Sequence, residues 1–310
     1  MKVGIIGAGH VGSTTAYALT LRGSATEIVL ADTDARRAAA QAEDVADAVP
    51  VAFPTRVTGG PIEAMRDFDI IVLACGPSIE PGQNRLAILQ KSTDIFKSVV
   101  PQVMNVAPNA ILIVASNPVD IMTHVTAAES GLSAGRVIGS GTLLDTLRFR
   151  AQLSAHLGVS ASSVQAYVLG EHGDSEVLAW SSARIGGLPL GDVGEQLARP
   201  LTHEVREQID QDVRRAGYRI LEGKGHTSFG VAAGIARIVD AIRDDERVVL
   251  TISARTPKVA GIADVSVSLQ RVVGRDGVTH TLEPDMNAQE IELLAKSARI
   301  IRDATTQVGY

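Results

Sequence analysis

Lys2-Val3-Gly4-Ile5-Ile6-Gly7-Ala8-Gly9-His10-Val11-Gly12 is the stretch whose reading decides the fold of this chain. Its first residues form a short, largely apolar run that reads as a buried strand, and three glycines in the pattern GxGxxG follow at once. An alanine-rich helical stretch, residues 13–21, comes next. In a strand, turn and helix of this kind each glycine has its own task. Gly7 permits the tight turn, Gly9 lets a pyrophosphate approach the backbone, and Gly12 lets the helix pack closely on the strand. Val11 lies in the same turn and is counted with these three glycines as cofactor-binding. The helix N-terminus then offers free N–H groups to phosphates. A second strand, 27–31, ends in Asp32, twenty residues after Gly12. A carboxylate at that distance hydrogen-bonds ribose hydroxyls and repels the extra phosphate of NADP, so the cofactor read here is NAD. Arg36 and Arg37 just beyond are read as a solvated helix start. A merely structural glycine turn is the alternative, and it leaves strand, helix and acid unexplained as a set.

Outward from this unit, a helix over 35–48 leads to a weak strand near 55–58, and Gly59-Gly60-Pro61 breaks the chain before a short helix. Residues 69–74 and 110–116 are almost wholly apolar strands separated by a long helix. Such runs indicate strands buried on both faces, as in a parallel sheet covered by helices. The expected class is α/β, a Rossmann-type doubly wound parallel sheet followed by an α+β catalytic domain. Between the two strands lies Gly76-Pro77-Ser78-Ile79-Glu80-Pro81-Gly82-Gln83-Asn84-Arg85, at a strand's carboxyl end, where open α/β sheets bind ligands. Its prolines and glycines fit a lid with fixed hinges. Arg85 opens the helix that runs to residue 106, and serving that helix's surface is the alternative use of its charge. Asn117-Pro118 closes the following strand with a polar side chain at the same crevice, or serves simply as a turn.

At 310 residues the chain has room for two domains of roughly 150 each, set here at 1–140 and 141–310, with the boundary near Gly139-Ser140-Gly141. Charged residues are 21% and the net charge is -6, which points away from nucleic acid. Cys75 is the only cysteine, so no internal disulfide forms, and a reducing compartment, the cytoplasm, is expected. Neither an export signal nor a membrane span is read, and no metal site is assigned.

In the second half, Leu169-Gly170-Glu171-His172-Gly173-Asp174-Ser175 sets a histidine between glycines and carboxylates. Histidine titrates near neutral pH, and His172 is taken as the proton-transfer centre, the alternative being a surface histidine in a glycine-punctuated loop. Upstream, Asp145 and Arg148 stand at i, i+3 and project from one helix face. A histidine, an orienting carboxylate and an anion-clamping arginine together suit proton transfer to or from a substrate that carries its own carboxylate. Around them the pattern gives a helix through 150–156, a strand at 163–169 and a hairpin of 180–185 with 188–190 turning on Gly186-Gly187. Helices at 202–221 and 227–242 follow, then antiparallel strands at 247–253, 265–273 and 278–282. A final helix to about residue 308 is capped by Asn287 with Glu290.

Taken together, these residues resemble the lactate/malate dehydrogenase family. Gly7-Ala8-Gly9-His10-Val11-Gly12, Pro81-Gly82 with Arg85, Ser116-Asn117-Pro118-Val119-Asp120, Gly139-Ser140-Gly141-Thr142 with Asp145 and Arg148, and Gly170-Glu171-His172-Gly173-Asp174-Ser175 occur in that family's order. Within it the chain is most similar to bacterial L-lactate dehydrogenases, through Thr142-Leu143-Leu144-Asp145 and Glu222-Gly223-Lys224-Gly225-His226-Thr227-Ser228. The resemblance implies that His172 gives a proton to a 2-oxo group as NADH delivers hydride, with Asp145 orienting it. Arg148 would clamp the substrate carboxylate, Arg85 polarise the carbonyl, Asn117 hydrogen-bond the same oxygen, and Thr227 border the substrate side chain. Asn117 also counts among the cofactor contacts. A homotetramer or homodimer acting on a small 2-oxo or 2-hydroxy acid is implied, with pyruvate and L-lactate as the first pair. A non-catalytic NADH sensor is the reading from another class, and it leaves the proton donor without a use.

Ile79 departs from the pattern, standing where lactate dehydrogenases usually have glutamine and malate dehydrogenases arginine. Without a cation there, the second carboxylate of oxaloacetate is buried unpaired at a high cost, which disfavours malate dehydrogenase. An apolar Ile79 suits a bulkier side chain, as in 2-oxoisocaproate or phenylpyruvate, or is drift in a loop that still serves pyruvate. Some bacterial relatives respond to fructose 1,6-bisphosphate through a basic pair that corresponds to Arg150 and Gln165, and only the arginine is present here. Fructose 1,6-bisphosphate is therefore expected to activate weakly or not at all, with no large fall in the pyruvate KM in steady-state assays, because the phosphate site lacks its second cation.

Overall fold

The structure, a computed structural model, describes residues 1–77 and 85–310, with the backbone alone at Arg85. Ile79 and Pro81-Gly82 lie outside the described residues, as does the Arg85 side chain. The first half alternates β1 (Lys2–Ile6), α1 (His10–Arg22), β2 (Glu27–Ala31), α2 (Ala35–Ala46), β3 (Arg56–Gly59), β4 (Ile70–Leu73), α3 (Arg85–Val106), β5 (Ile111–Val114), α4 (Val119–Ser130) and β6 (Val137–Gly139). These six strands pair in parallel in the order β3-β2-β1-β4-β5-β6. Every residue of β4 and β5 is buried, as their unbroken apolar sequence requires. Because the strand order reverses direction between β1 and β4, a crevice opens at their carboxyl ends.

The second half supplies α5 (Leu143–Leu157), β7 (Val164–Gln165), β8 (Val168–Leu169), β9 (Val177–Leu178), β10 (Arg184–Ile185), β11 (Leu188–Pro189), α6 (Leu190–Gln196), α7 (His203–Lys224), α8 (Phe229–Arg243), β12 (Val248–Val259), β13 (Ile262–Gly274), β14 (Gly277–Thr281) and α9 (Ala288–Gln307). The chain is thus a Rossmann-type α/β unit followed by an α/β C-terminal half. The last three strands extend the parallel sheet instead of forming one of their own. β12 lies antiparallel against β6 through Ser253 and Gly139, giving a nine-stranded order β14-β13-β12-β6-β5-β4-β1-β2-β3. One apolar cluster joins Leu112 and Val114 of β5 to Val265, Val267 and Leu269 of β13, and another joins Ile111, Ile113 and Ile138 to Leu250, Ile252 and Val273. The two halves therefore share their cores.

Three local expectations change. The single strand expected over 163–169 is two, because β7 pairs with β10 whereas β8 pairs with β9 in another sheet. Between them, the Ala166 carbonyl accepts from Arg150 Nε at 2.9 Å, and the Val168 N–H is taken by Thr146 Oγ1 at 2.8 Å, so neither group remains for a continuous ladder. In the hairpin expected from 180 to 190, only Arg184–Ile185 and Leu188–Pro189 pair. Trp180 packs edge-on against Phe149, with ring centroids 4.7 Å apart. Conversely, β12 and β13 outrun their expected ends and meet at a two-residue turn, Ala260 and Gly261, both with positive φ (45° and 87°). The capping box at Asn287 and Glu290 forms as read, starting α9.

Candidate active site

A cavity of about 650 Å³ sits at the carboxyl end of the parallel sheet, where the two halves meet. Its wall includes Val11, Asn117, Asp145, Arg148, His172 and Thr227, brought from five separate segments of the chain. Asp145 occupies the first turn of α5 and is 2% exposed. Its Oδ2 lies 2.5 Å from His172 Nδ1, and its Oδ1 accepts from Arg148 Nη1 at 2.9 Å. One buried carboxylate therefore holds both cationic side chains. Burial by itself drives the His172 imidazole toward the neutral form, but Asp145, with Asp120 and Glu176 adding to it, outweighs that and raises its pKa to about 9. Burial opposes ionisation of Asp145 as well, and the His172 and Arg148 charges reverse this, holding its pKa below the usual carboxylate value.

The histidine loop is pinned from two sides. Gly170 adopts φ 90° and exchanges backbone hydrogen bonds with Ser268 of β13, and a Cβ there would meet Ser297 Oγ at 2.6 Å. Ser297 Oγ of α9 accepts from the Glu171 N–H at 2.8 Å, and Asp120 Oδ2 of α4 accepts from the His172 N–H at 2.8 Å. Asp120 is 2% exposed, and burial pushes its carboxyl up to about 6 despite that hydrogen bond. Sequence reading assigned Asp120 no role, although it stands in the Ser116-Asn117-Pro118-Val119-Asp120 run. It also passed over Glu176, which lies just beyond the histidine stretch and on the cavity wall. Asn117, joined to Pro118 by a cis peptide bond, reaches the cavity from the end of β5.

The glycine loop has the shape a dinucleotide needs. A Cβ on Gly7 would meet Ala74 O at 2.5 Å and one on Gly12 would meet Gly7 O at 1.8 Å, whereas one on Gly9 would meet nothing within 4 Å. The space beside Gly9 is thus open for a pyrophosphate. At the start of α1, Gly9 gives no side-chain cap and the first turn holds no acidic residue, which leaves the N–H groups free for anions. Asp32 Oδ2 accepts from Ala8 N at 2.8 Å, so the acid that ends β2 also holds this loop. The residues present fit NAD. Away from the cavity, Arg150 lies over the Tyr167 ring at 4.9 Å, and Gln165 is exposed on β7.

The family model for the lactate/malate dehydrogenase NAD-binding domain matches residues 1–139, and that for the lactate/malate dehydrogenase alpha/beta C-terminal domain matches residues 142–309. The chain belongs to the lactate/malate dehydrogenase family. An L-lactate dehydrogenase of Thermus aquaticus is 49% identical over 310 residues, covering all of both chains. That of Deinococcus radiodurans is 47% identical, also over the whole of both. Among solved structures, the minor L-lactate dehydrogenase of Enterococcus mundtii superposes with a TM-score of 0.95 at 36% identity, covering 99% of this chain and 98% of that one. Membership makes this an NAD-dependent dehydrogenase whose cofactor domain is the N-terminal half. No helix among the described residues is long and apolar enough to cross a membrane.

The glycine geometry separates cofactor binding from folding. Gly9→Ala is expected to leave the urea unfolding midpoint nearly unchanged while weakening NADH binding by about tenfold, roughly 1.4 kcal/mol, in fluorescence titration. Gly12→Ala is expected to destabilise the fold itself, since its Cβ has no room.

Proposed function

We propose that this protein is an L-lactate dehydrogenase that interconverts pyruvate and L-lactate, with His172 as the acid and base. The observation that carries the reading is the Asp145 carboxylate, with His172 Nδ1 2.5 Å from one oxygen and Arg148 Nη1 2.9 Å from the other, on the wall of one cavity. A carboxylate bound at Nδ1 fixes the imidazole so that Nε2 carries the exchangeable proton. Arg148 has further donors in its planar fork, and two of them match a substrate carboxylate in a way lysine cannot copy. Bound NADH supplies the hydride to the carbonyl carbon. Asn117 hydrogen-bonds the carbonyl oxygen, Arg85 polarises it as charge develops there, and Thr227 borders the substrate side chain. Gly7, Gly9, Val11, Gly12 and Asn117 would hold the cofactor, and Asp32 would take its ribose hydroxyls. The working form is a homotetramer or homodimer in the cytoplasm.

The cavity favours a substrate with one carboxylate. Among the described residues of its wall, the guanidinium groups are those of Arg148 and Arg214. Arg214 is engaged by Asp210 and by the carbonyls of Asp174 and Glu176. A second carboxylate, as on oxaloacetate, would have no free cation there, while Leu144, Leu221 and Val231 offer an apolar surface. That surface, with Ile79, supports a second reading in which a bulkier apolar 2-oxo acid is preferred.

NADH oxidation with pyruvate, oxaloacetate, 2-oxoisocaproate and phenylpyruvate tests both readings, and pyruvate is expected to give the highest kcat/KM. A tenfold lead for a bulkier acid would select the second reading. His172→Asn and Arg148→Lys are each expected to lower turnover by orders of magnitude while NADH still binds; near-normal turnover removes that residue from its role. The sign of the pH dependence follows from an imidazole pKa raised to about 9. Reduction needs the protonated ring, so its kcat/KM should hold through neutral pH and fall above about 9, whereas lactate oxidation should rise through the same range.

A further inference from the structure

Glu176 is a buried carboxylate that the reaction as described leaves unused. It is 4% exposed, lines the catalytic cavity, and its Oε1 has no hydrogen-bond partner among the described residues. The Arg214 guanidinium, on the same cavity wall, does not satisfy that oxygen. Arg214 of α7 directs its hydrogen bonds to the Asp210 carboxylate and to the backbone carbonyls of Asp174 and Glu176. A buried carboxyl with an unpartnered oxygen is expensive as an anion and is retained at little cost only as the neutral acid. Four residues along the same loop stands His172, which has the opposite preference because Asp145 stabilises its charged form.

We propose that Glu176 is a positioning residue for the proton of His172, a second acid in the cavity whose ionised form holds the imidazolium charged. The inference rests on the reading of His172 as the catalytic acid. Burial, with the Asp145 charge, pushes the Glu176 carboxyl up to about 8, into the range where the imidazole also titrates. As the neutral acid it adds no charge to the site. Once it loses its proton, the new anion opposes loss of the proton from His172. Among the described residues, the other charges around the pair are Asp145 and Arg148 of α5, Asp120 of α4, Asp210 and Arg214 of α7, and Glu171 and Asp174 in the loop itself. Asp174 is hydrogen-bonded by the Tyr218 hydroxyl at 2.9 Å. None of these other carboxylates combines burial with an unpartnered oxygen.

The test is the pH profile of kcat/KM for pyruvate reduction in the wild type, Glu176→Gln, Glu176→Asp and His172→Asn. Glutamine keeps the shape and removes the titration, so the alkaline midpoint is expected to fall by about half a pH unit to one unit. Aspartate restores a charge and should bring the midpoint back toward the wild-type value, a rescue that a purely structural role does not produce. NADH affinity, read by fluorescence, should be alike in wild type and Glu176→Gln. In the unaltered protein, the ring nitrogens of His172 followed by NMR should titrate in two steps, one of them reporting the carboxyl. An unmoved midpoint in Glu176→Gln, or a single-step titration of His172, overturns the inference while leaving His172 as the acid. Full turnover in His172→Asn, or a wild-type profile without an alkaline limb, overturns the reading of His172 and this inference with it.

Discussion

The pairing of one buried carboxylate with two cationic side chains governs the rest of the site, since Asp145 is nearly inaccessible and carries His172 on one oxygen and Arg148 on the other. An isolated carboxylate at that depth is untenable, and removing one partner of such a group typically costs about 3–5 kcal/mol. Each member therefore needs the others in place. His172 gains its affinity for a proton from Asp145, and Arg148 is held on the wall of the same cavity. Structure and chemistry here have one cause, the electrostatic demand of a charge withdrawn from water.

That arrangement requires segments far apart in sequence to be held to a fraction of an ångström, and the shared sheet provides the frame. β6 leads directly into α5 and so places Asp145 and Arg148, while β8 leads into the histidine loop. The loop is fastened by Asp120 from α4, by Ser268 from β13 and by Ser297 from α9. Because β12 joins β6 and the apolar clusters cross from one half to the other, the cofactor-binding strands and the histidine loop form one packed body around the cavity. The glycine loop meets this frame at the end of β1, with Asp32 fastening Ala8.

Much of this was legible along the chain because it depends on local rules. The strand before Gly7, the glycine spacing, Asp32 at the end of β2 and the cap at Asn287 are each set by steric or hydrogen-bonding needs within a few residues. The Asp145 and Arg148 pair is visible as an i, i+3 spacing on a helix. The division of 163–169 into two strands was not legible, since it depends on Arg150 and Thr146 taking the backbone groups a longer strand would use. Nor was the joining of β12 to β6, where pairing spans more than a hundred residues of chain.

The sequence by itself determined the dinucleotide-binding fold, the preference for NAD and the identity of the residues able to carry proton and anion chemistry, because side-chain type and spacing suffice for each. The resemblance already paired Asp145 with His172, and only the tertiary structure decided that Asp120 and Glu176 act on it as well. Asp145, Asp120 and Glu176 come from a helix start, another helix and the loop's own continuation, and their influence depends on burial and distance. Those quantities exist only once the chain has folded, for the strength of a charge is set by the water removed from around it.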